Sequence, residues 1–306
     1  PNFNIRIYFS GSVNEEGYGE GVYDWSDLIG GSAWDQANAV TRDAIGNVYV
    51  GVQTKSSLQG SNAGNFDAAL VKYNSVGVKQ WTQQTGSSGG DYVKAVATDS
   101  EGNAYIVGEV NNAAYDGQSA SGDRDVFITK YSSNGIKQWS KQFGTAQSDL
   151  VANAVIDNDT LYIIGSTKGT MSGASKTSAS ATDNDSFITR LDLNGNILGS
   201  DQFGVSGNSS TVASDIAFDD SGNYYVAGST TGALDSESHS GNSKKDMFIR
   251  KYNSSNVRQW TKLIGNSTHD QGNGVHLGLS SSGATIYLQD QTGGTINSVS
   301  APTSAS

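Results

Sequence analysis

The strand–turn–strand stretch Asp67–Gly86 constrains the fold most, because similar stretches return at regular intervals along the chain. The copies are Asp125–Gly144, Asp185–Gly204 and Asp246–Gly265. Their anchor positions, Trp81, Trp139, Gly199 and Trp260, are 58, 60 and 61 residues apart. A fixed period of this length is typical of solenoids, propellers and related repeat architectures. The repeat therefore predicts the architecture before any single residue is considered.

Each repeat contains four candidate strands separated by turn residues, which favours an all-β fold. In the first repeat they are Gln36–Asp43, Asn47–Thr54, Asp67–Tyr73 and Val78–Gly86. In the second they are Tyr92–Asp99, Asn103–Val110, Asp125–Tyr131 and Ile136–Gly144. In the third they are Leu150–Asp157, Thr160–Thr167, Asp185–Leu191 and Asn196–Gly204. In the fourth they are Val212–Asp219, Asn223–Thr230, Asp246–Tyr252 and Val257–Gly265.

The two ends of the chain together supply one more repeat. Only two candidate strands follow the fourth repeat, Gln271–Leu279 and Ala284–Gln291. Residues 292–306, which come after them, are rich in Gly, Ser and Thr, and we expect this segment to be a flexible tail. The missing half stands at the other end, where Asn2–Tyr8 resembles Asp125–Tyr131 and Val22–Gly30 resembles Arg258–Gly265.

We therefore predict one domain over residues 1–306, an all-β, five-bladed β-propeller with four antiparallel strands in each blade. Residues 1–30 would supply the N-terminal strands that complete the last blade, a two-plus-two closure. Packing sheets around a ring leaves only short exposed edges, which avoids edge-to-edge aggregation. The alternative is that the N-terminal strands pair with the next subunit, as in strand exchange.

The composition disfavours several classes of binding partner. The 306 residues carry 19 basic and 30 acidic side chains, a formal charge of −11, which disfavours binding to nucleic acid. There is no cysteine for a disulfide or a thiolate metal site. No apolar run is long enough to span a membrane, so membrane insertion is not expected. The chain begins at Pro1 without signal-peptide features, which predicts a processed chain or an excised fragment.

One motif within the repeat resembles a known family. The segments Asp99–Gly108 and Asp125–Tyr131, followed by Gln138 and Trp139, resemble the bacterial β-propeller repeat family SBBP. The third repeat departs from the motif at its first turn and at Leu191 and Gly199. The resemblance implies a propeller fold and a secreted or cell-surface bacterial protein, and it carries over no catalytic residues.

The predicted strand order separates two faces. Small residues such as Ala95 and Ala97 place the first strand of each repeat innermost, and the Trp strand is then outermost. Short turns fall on one face. The long loops fall on the other: Lys55–Phe66, Asn111–Arg124, Lys168–Asn184 and Thr231–Lys245. Because loops carry most binding functions, the long-loop face is the predicted functional face.

Polar and aromatic residues on or beside these loops are the candidate ligand-binding residues. They are Trp34, Asn112, Tyr115, Asp116, Asp183, Asp185, Asp235, His239 and His269. Aromatic faces beside amide and carboxylate groups suit sugar rings, which offer both C–H faces and hydroxyls. The alternative is that they are ordinary solvated loop residues.

Aspartates also recur at the strand entrances of the same face. Asp35, Asp91, Asp149 and Asp270 precede first strands, and Asp67, Asp125, Asp185 and Asp246 precede third strands. Oxygen ligands of this kind suit Ca²⁺. The favoured interpretation is that each Asp binds local backbone N–H groups and holds its loop. The candidate metal ligands are Asp183 and Asp185, and Glu15 and Glu16 in the insertion Phe9–Asp24; no other cofactor is expected.

The carboxylates at the strand entrances recur with the repeat and none on a first strand stands out as a catalytic group, so the sequence predicts no enzyme. It predicts a non-enzymatic extracellular or cell-surface binding or adhesion module, with a surface glycan or protein as partner and the long-loop face as the glycan site. The alternative is a structural subunit of a surface assembly or filament that self-associates by N-terminal strand exchange.

Overall fold

The computed structural model describes residues 3–9, 22–175, 183–205, 209–239, 245–265, 270–276 and 287–292. Most of the insertion Phe9–Asp24, with Glu15 and Glu16, lies outside the described residues, as do His269 and residues 293–306 of the predicted tail. No helix in the described part of the chain is long and apolar enough to cross a membrane.

The described residues form twenty β-strands. The first ten are β1 (Phe3–Phe9), β2 (Val22–Ile29), β3 (Asp35–Arg42), β4 (Val48–Thr54), β5 (Asp67–Tyr73), β6 (Lys79–Thr85), β7 (Gly90–Thr98), β8 (Ala104–Asn111), β9 (Arg124–Tyr131) and β10 (Lys137–Phe143). The others are β11 (Asp149–Asp157), β12 (Thr160–Thr167), β13 (Asp185–Asp192), β14 (Ile197–Phe203), β15 (Thr211–Phe218), β16 (Tyr224–Thr230), β17 (Asp246–Tyr252), β18 (Arg258–Ile264), β19 (Asp270–His276) and β20 (Tyr287–Thr292).

Sixteen of these strands form four antiparallel sheets of four strands each, in chain order: β3–β6, β7–β10, β11–β14 and β15–β18. We call them the first to fourth sheets. The strands predicted from the four repeats are confirmed to within two residues at each end. β1 pairs with β2 and β19 pairs with β20, each in a two-stranded sheet.

The chain forms two compact units. One comprises Pro1–Ser175 and Phe187–Gln202, and the other comprises Lys176–Ser186 and Phe203–Ser306. In the first unit, β7 packs against both β3 and β11, so neighbouring sheets meet through their first strands, as the small residues there predict. In the second unit, β19 packs against the fourth sheet at β15, β16 and β17.

Each four-stranded sheet is most deeply buried along its second and third strands. Every residue of β4 and of β5 is buried, and the fourth strand β6 is exposed or half-buried throughout. Tyrosines of these middle strands, such as Tyr49 and Tyr105, are fully buried against the tryptophan of the fourth strand. Burying one such ring stabilises the fold by about 2–3 kcal/mol.

Neighbouring sheets of the first unit are joined by a repeated set of contacts that we call the indole latch. Trp81 Nε1 in the first sheet donates a hydrogen bond of 3.1 Å to the carbonyl oxygen of Ser133, in the β9–β10 turn of the second sheet. The ammonium group of Lys72 donates to the same oxygen at 2.8 Å. Trp139 and Lys130 repeat the arrangement on the carbonyl of Leu193, at 3.2 and 3.1 Å.

The latch explains a glycine in each receiving turn. Gly135 has φ +81°, a conformation that L residues rarely adopt, and a Cβ there would lie 2.9 Å from the Trp81 ring. Gly195 has φ +86° and occupies the same place beneath Trp139. The third sheet has Gly199 at the tryptophan position, and its Arg190 side chain lies against that glycine.

The N-terminal strand pair docks on the first sheet through the same kind of contact. Trp25 of β2 stacks on Tyr73 with ring centroids 4.9 Å apart. A Cβ on Gly77, in the β5–β6 turn, would lie 2.2 Å from the Trp25 ring. Unlike Trp81, Trp25 has no partner for its Nε1 among the described residues. β2 thus meets the first sheet as the fourth strand of a preceding sheet would.

The latch predicts that Gly135→Ala destabilises the fold more than an equally strained substitution elsewhere. The matched control is Gly117→Ala, because Gly117 has φ +77° and nothing within 4 Å of its added Cβ. Both variants incur about 1 kcal/mol of backbone strain. We expect Gly135→Ala to cost at least about 1 kcal/mol more, since the indole must move. Urea unfolding measures this difference; equal losses would contradict the latch.

Candidate functional site

Buried aspartates hold the connections that lead into the first strands. Asp35 accepts a hydrogen bond from the N–H of Gly31 at 2.8 Å, and Asp91 accepts one from Ser87 at 2.7 Å. Asp149 binds the N–H of Thr145 in the same way. Burial raises the pKa of Asp91 to about 7 and that of Asp149 to about 6. For these three the favoured interpretation, that each Asp binds local backbone, is confirmed.

A second set of aspartates, at the third strands, is held by glutamines that the sequence analysis missed. Gln84 and Gln142 donate from Nε2 to Asp67 and Asp125, at 2.9 and 2.7 Å. Their Oε1 atoms accept the loop N–H groups of Leu58 and Tyr115, at 2.8 and 2.7 Å.

The third sheet repeats this loop contact, since Gln202 Oε1 accepts the N–H of Met171 at 2.9 Å. We call Gln84, Gln142 and Gln202 the glutamine clamp. Each glutamine stands three residues after the tryptophan position, and that recurrence is the signal that could have revealed it. The clamp holds the long loops by their backbone and so fixes the shape of the face they form.

Tyr115 is one candidate whose role the structure changes. Its side chain is fully buried, stacks on Phe127 at 4.4 Å and shares a hydrogen bond of 2.7 Å with Thr129. A ring enclosed in this way cannot contact a ligand. Tyr115 therefore anchors its loop to the sheet, in place of the ligand contact that the sequence predicted.

Asn112 and Asp116 lie on the same loop and are exposed. Both have positive φ, 47° and 49°, which Asn and Asp tolerate better than most residues. Asn112 donates to Asp123 at 3.1 Å, and Asp116 pairs with Lys137 at 2.7 Å. Both side chains thus have internal partners while remaining accessible.

Four candidates among the described residues lie in the second unit. Asp185 is fully buried, and Asp183 is half-buried. Asp235 accepts hydrogen bonds from Arg250 at 3.0 and 3.1 Å and forms an ion pair with Arg258 at 3.3 Å, so it holds its loop to the fourth sheet. His239 Nε2 lies 3.9 Å from Asp246.

Within the described residues, no group of three or more His, Asp or Glu could hold a metal ion.

The short-turn face carries a cavity of about 310 Å³ between turns of the first and second sheets. Asp43, Lys72 and Ser133 line it, among others. These residues already serve the packing of the turns, since Asp43 binds the N–H of Asn47 at 2.8 Å and Lys72 belongs to the indole latch. The cavity is therefore accounted for by the junction of the two sheets.

The opposite face carries a row of aromatic and charged side chains that spans the first and second sheets. Trp34 is 39% exposed and meets Phe66 edge-on at 5.1 Å. The ammonium of Lys55 lies 4.5 Å from the centre of the Phe66 ring. Phe66 in turn lies 5.6 Å from Tyr92, and the guanidinium of Arg124 lies 5.7 Å from Tyr92.

A buried carboxylate completes this row. Glu109 is almost fully buried on β8 and pairs with Arg124 at 3.3 Å and with Lys94 at 3.5 Å. It also accepts the N–H of Val151 at 3.0 Å. Gln53, Ser166 and Ser229 stand at the equivalent positions of the other sheets, so Glu109 is an unrepeated carboxylate next to a first strand. Glu109 lies on a second strand, and it was not singled out from the sequence because only the carboxylates of first strands were weighed as catalytic candidates.

We call this row the aromatic–cation stripe: Trp34, Lys55, Phe66, Tyr92, Lys94, Glu109 and Arg124. Its members lie where first and third strands begin and second strands end, which is the end of each sheet that carries the long loops. Exposed rings such as that of Trp34 offer apolar faces, and the cations beside the rings offer donors and positive charge. The stripe can therefore bind a ligand that has both apolar faces and polar or anionic groups.

Comparison with known proteins agrees with the repeat. Two segments match the SBBP β-propeller repeat model. They are residues 80–113, which cover β7 and β8, and residues 200–234, which cover β15 and β16. The resemblance to SBBP repeats is thereby confirmed at these two segments. Each match begins within the preceding fourth strand, β6 in one case and β14 in the other.

Relatives over longer stretches are distant. The regulatory protein FlaEY of Caulobacter vibrioides is 25% identical over 205 residues, which is 61% of this chain and 21% of FlaEY. The chain thus spans about a fifth of that curated relative. Among solved structures, a subtype N10 neuraminidase-like protein from a little yellow-shouldered bat isolate is 10% identical with a TM-score of 0.42, over 80% of this chain and 72% of its own. An apocarotenoid oxygenase variant from Synechocystis is 10% identical with a TM-score of 0.44, over 82% of this chain and 53% of its own.

The glutamine clamp predicts that Gln142→Leu loosens the loop between β8 and β9. Leucine fits the strand, because Leu263 stands at this position in the fourth sheet. We expect a loss of about 1–3 kcal/mol in the free energy of unfolding, since the Tyr115 N–H loses its acceptor and Asp125 keeps only the N–H of Ser121 among its described donors. Limited proteolysis should cut the loop faster. The control is Gln138→Leu, an exposed glutamine of the same strand that binds only the nearby Ile136 carbonyl. If the two variants behave alike, the clamp does not hold the loop.

Proposed function

We propose that the protein is a non-enzymatic binding module that recognises a glycan through its long-loop face. The observation that carries this proposal is the exposed, fixed ring of Trp34 at the end of the aromatic–cation stripe. Aromatic rings at a surface favour ligands that present flat apolar faces together with polar groups, and sugars have both.

The position of Trp34 supports a binding role because its neighbours hold it without covering it. Its backbone carbonyl accepts the N–H of Lys55 at 2.8 Å, and Phe66 supports one edge of the ring. A large side chain that is already ordered loses little conformational entropy when a ligand binds. The indoles of Trp81 and Trp139, by contrast, are hydrogen-bonded in the indole latch.

The chemistry of the stripe supports binding over catalysis. Its one buried carboxylate, Glu109, has two cationic partners and a backbone donor. These three groups occupy the carboxylate, and its side chain is only 1% exposed, so a substrate has little access to it. The secreted or cell-surface location is part of the proposal and rests on the composition and on the SBBP repeats.

We propose further that the chain closes as a five-bladed propeller, with β1 and β2 completing a blade begun by β19 and β20. Two observations support this. Trp25 meets the first sheet as the tryptophan of a preceding blade would. β19 packs on the fourth sheet much as β7 packs on the first, through the first strand of the next blade. These two contacts support a fifth blade made from both strand pairs.

The glycan proposal predicts that Trp34→Ala reduces binding on a glycan array by at least about tenfold, as the loss of one stacked ring does. The control is Ile45→Ala, a truncation of a side chain that is 80% exposed on the short-turn face. It should bind like the wild type. Circular dichroism checks that both variants are folded. A wild-type protein that binds no glycan, or a Trp34→Ala variant that binds normally, would overturn the proposal.

A further inference from the structure

We propose that the aromatic–cation stripe takes an anionic polysaccharide, one whose sugars carry carboxylate or sulfate groups. This inference rests on the binding function proposed above and specifies its ligand class. It follows from the charge of the exposed groups of the stripe and from the way its cations lie over its rings.

The stripe is locally basic on an acidic protein. The chain as a whole carries 19 basic and 30 acidic side chains. The stripe contains three cations, Lys55, Lys94 and Arg124. Its one carboxylate is Glu109, whose side chain is 1% exposed. Lys94 and Arg124 remain 37% and 40% exposed, so a ligand can reach them although they are paired. Within the described residues, no ion pair engages Lys55.

The surroundings of Arg124 do not cancel this charge. Asp123 is the exposed carboxylate beside it, and hydrogen bonds from Ser148 and Asn112 hold its pKa below the usual value. The positive charges of Arg124 and Lys168 lower that pKa further, so Lys168 adds a cation on the same side. The aspartates at the neighbouring strand entrances, Asp35, Asp67, Asp91 and Asp125, are buried. Among the accessible groups of the stripe and its border there are thus four cations, Lys55, Lys94, Arg124 and Lys168, against the one exposed carboxylate of Asp123.

The order of the groups points to a polymer. Trp34 and Phe66 are followed by Lys55, and Tyr92 by Arg124. A polysaccharide can lay a sugar face on the exposed ring of Trp34 while its acidic groups meet Lys55, which lies over the Phe66 ring, and Arg124, which lies over the Tyr92 ring. Single-stranded nucleic acid also uses aromatic rings and cations, so an oligonucleotide is included in the test.

The test compares acidic glycans with their neutral counterparts, such as polygalacturonate oligomers and their methyl esters, on an array that includes sulfated and neutral chains and an oligodeoxythymidine. We expect the wild type to bind acidic chains and to lose affinity as NaCl is raised. Lys55→Gln should weaken binding by about 2- to 5-fold, as the loss of one exposed ion pair does. The control is Lys79→Gln, which removes an exposed lysine that pairs with Asp27 on the outer strands.

The outcomes separate this inference from the proposed function. Equal binding of neutral and acidic chains that still depends on Trp34 would overturn the anionic ligand and leave glycan binding standing. No glycan bound in any arm would overturn both. Tighter binding of the oligodeoxythymidine would assign the stripe to nucleic acid. Lys55 is exposed and its described contact is with one ring, so its variant should fold, and the salt dependence of the wild type needs no variant.

Discussion

The indole latch is the interaction on which the rest of the first unit depends. Each latch gathers a tryptophan and a lysine of one sheet onto a single carbonyl of the next, and it fixes both distance and orientation between the two sheets. Hydrogen bonds that involve a charged donor are the stronger kind. With the sheets fixed at their outer strands and packed at their first strands, the ends of the strands become a rigid frame for the loops.

The glutamine clamp connects the long loops of the proposed binding face to this rigid frame. Gln84 and Gln142 each bind a loop N–H and an aspartate at a strand entrance, so the long loops are held by their backbone. A ligand that meets an ordered surface has less conformational entropy to remove. The residues that repeat thus build and hold the scaffold. Trp34, Glu109 and Arg124 do not repeat, and they are part of the stripe.

The sequence was a good guide to the strands, because a period near sixty residues and regular turn residues mark their ends. It also predicted correctly that Asp35, Asp91 and Asp149 hold local backbone. It failed where contacts join distant segments. Tyr115 looked available because its loop is polar, and only packing on Phe127 shows that it is buried. The stripe brings together residues from Trp34 to Arg124 whose proximity no local pattern records.

Ring closure within one chain is the central claim, and the absence of cysteine makes it directly testable. In the fourth sheet Ala227 pairs with Ile249, and the equivalent residues of the proposed fifth blade are Gln289 and Ile5. Paired strand positions have Cα separations that a disulfide can bridge. In the double variant Ile5→Cys and Gln289→Cys, mild oxidation of dilute protein should form a disulfide within a monomer. Disulfide-linked dimers and higher species would indicate strand exchange between chains and contradict closure, as would the absence of any disulfide.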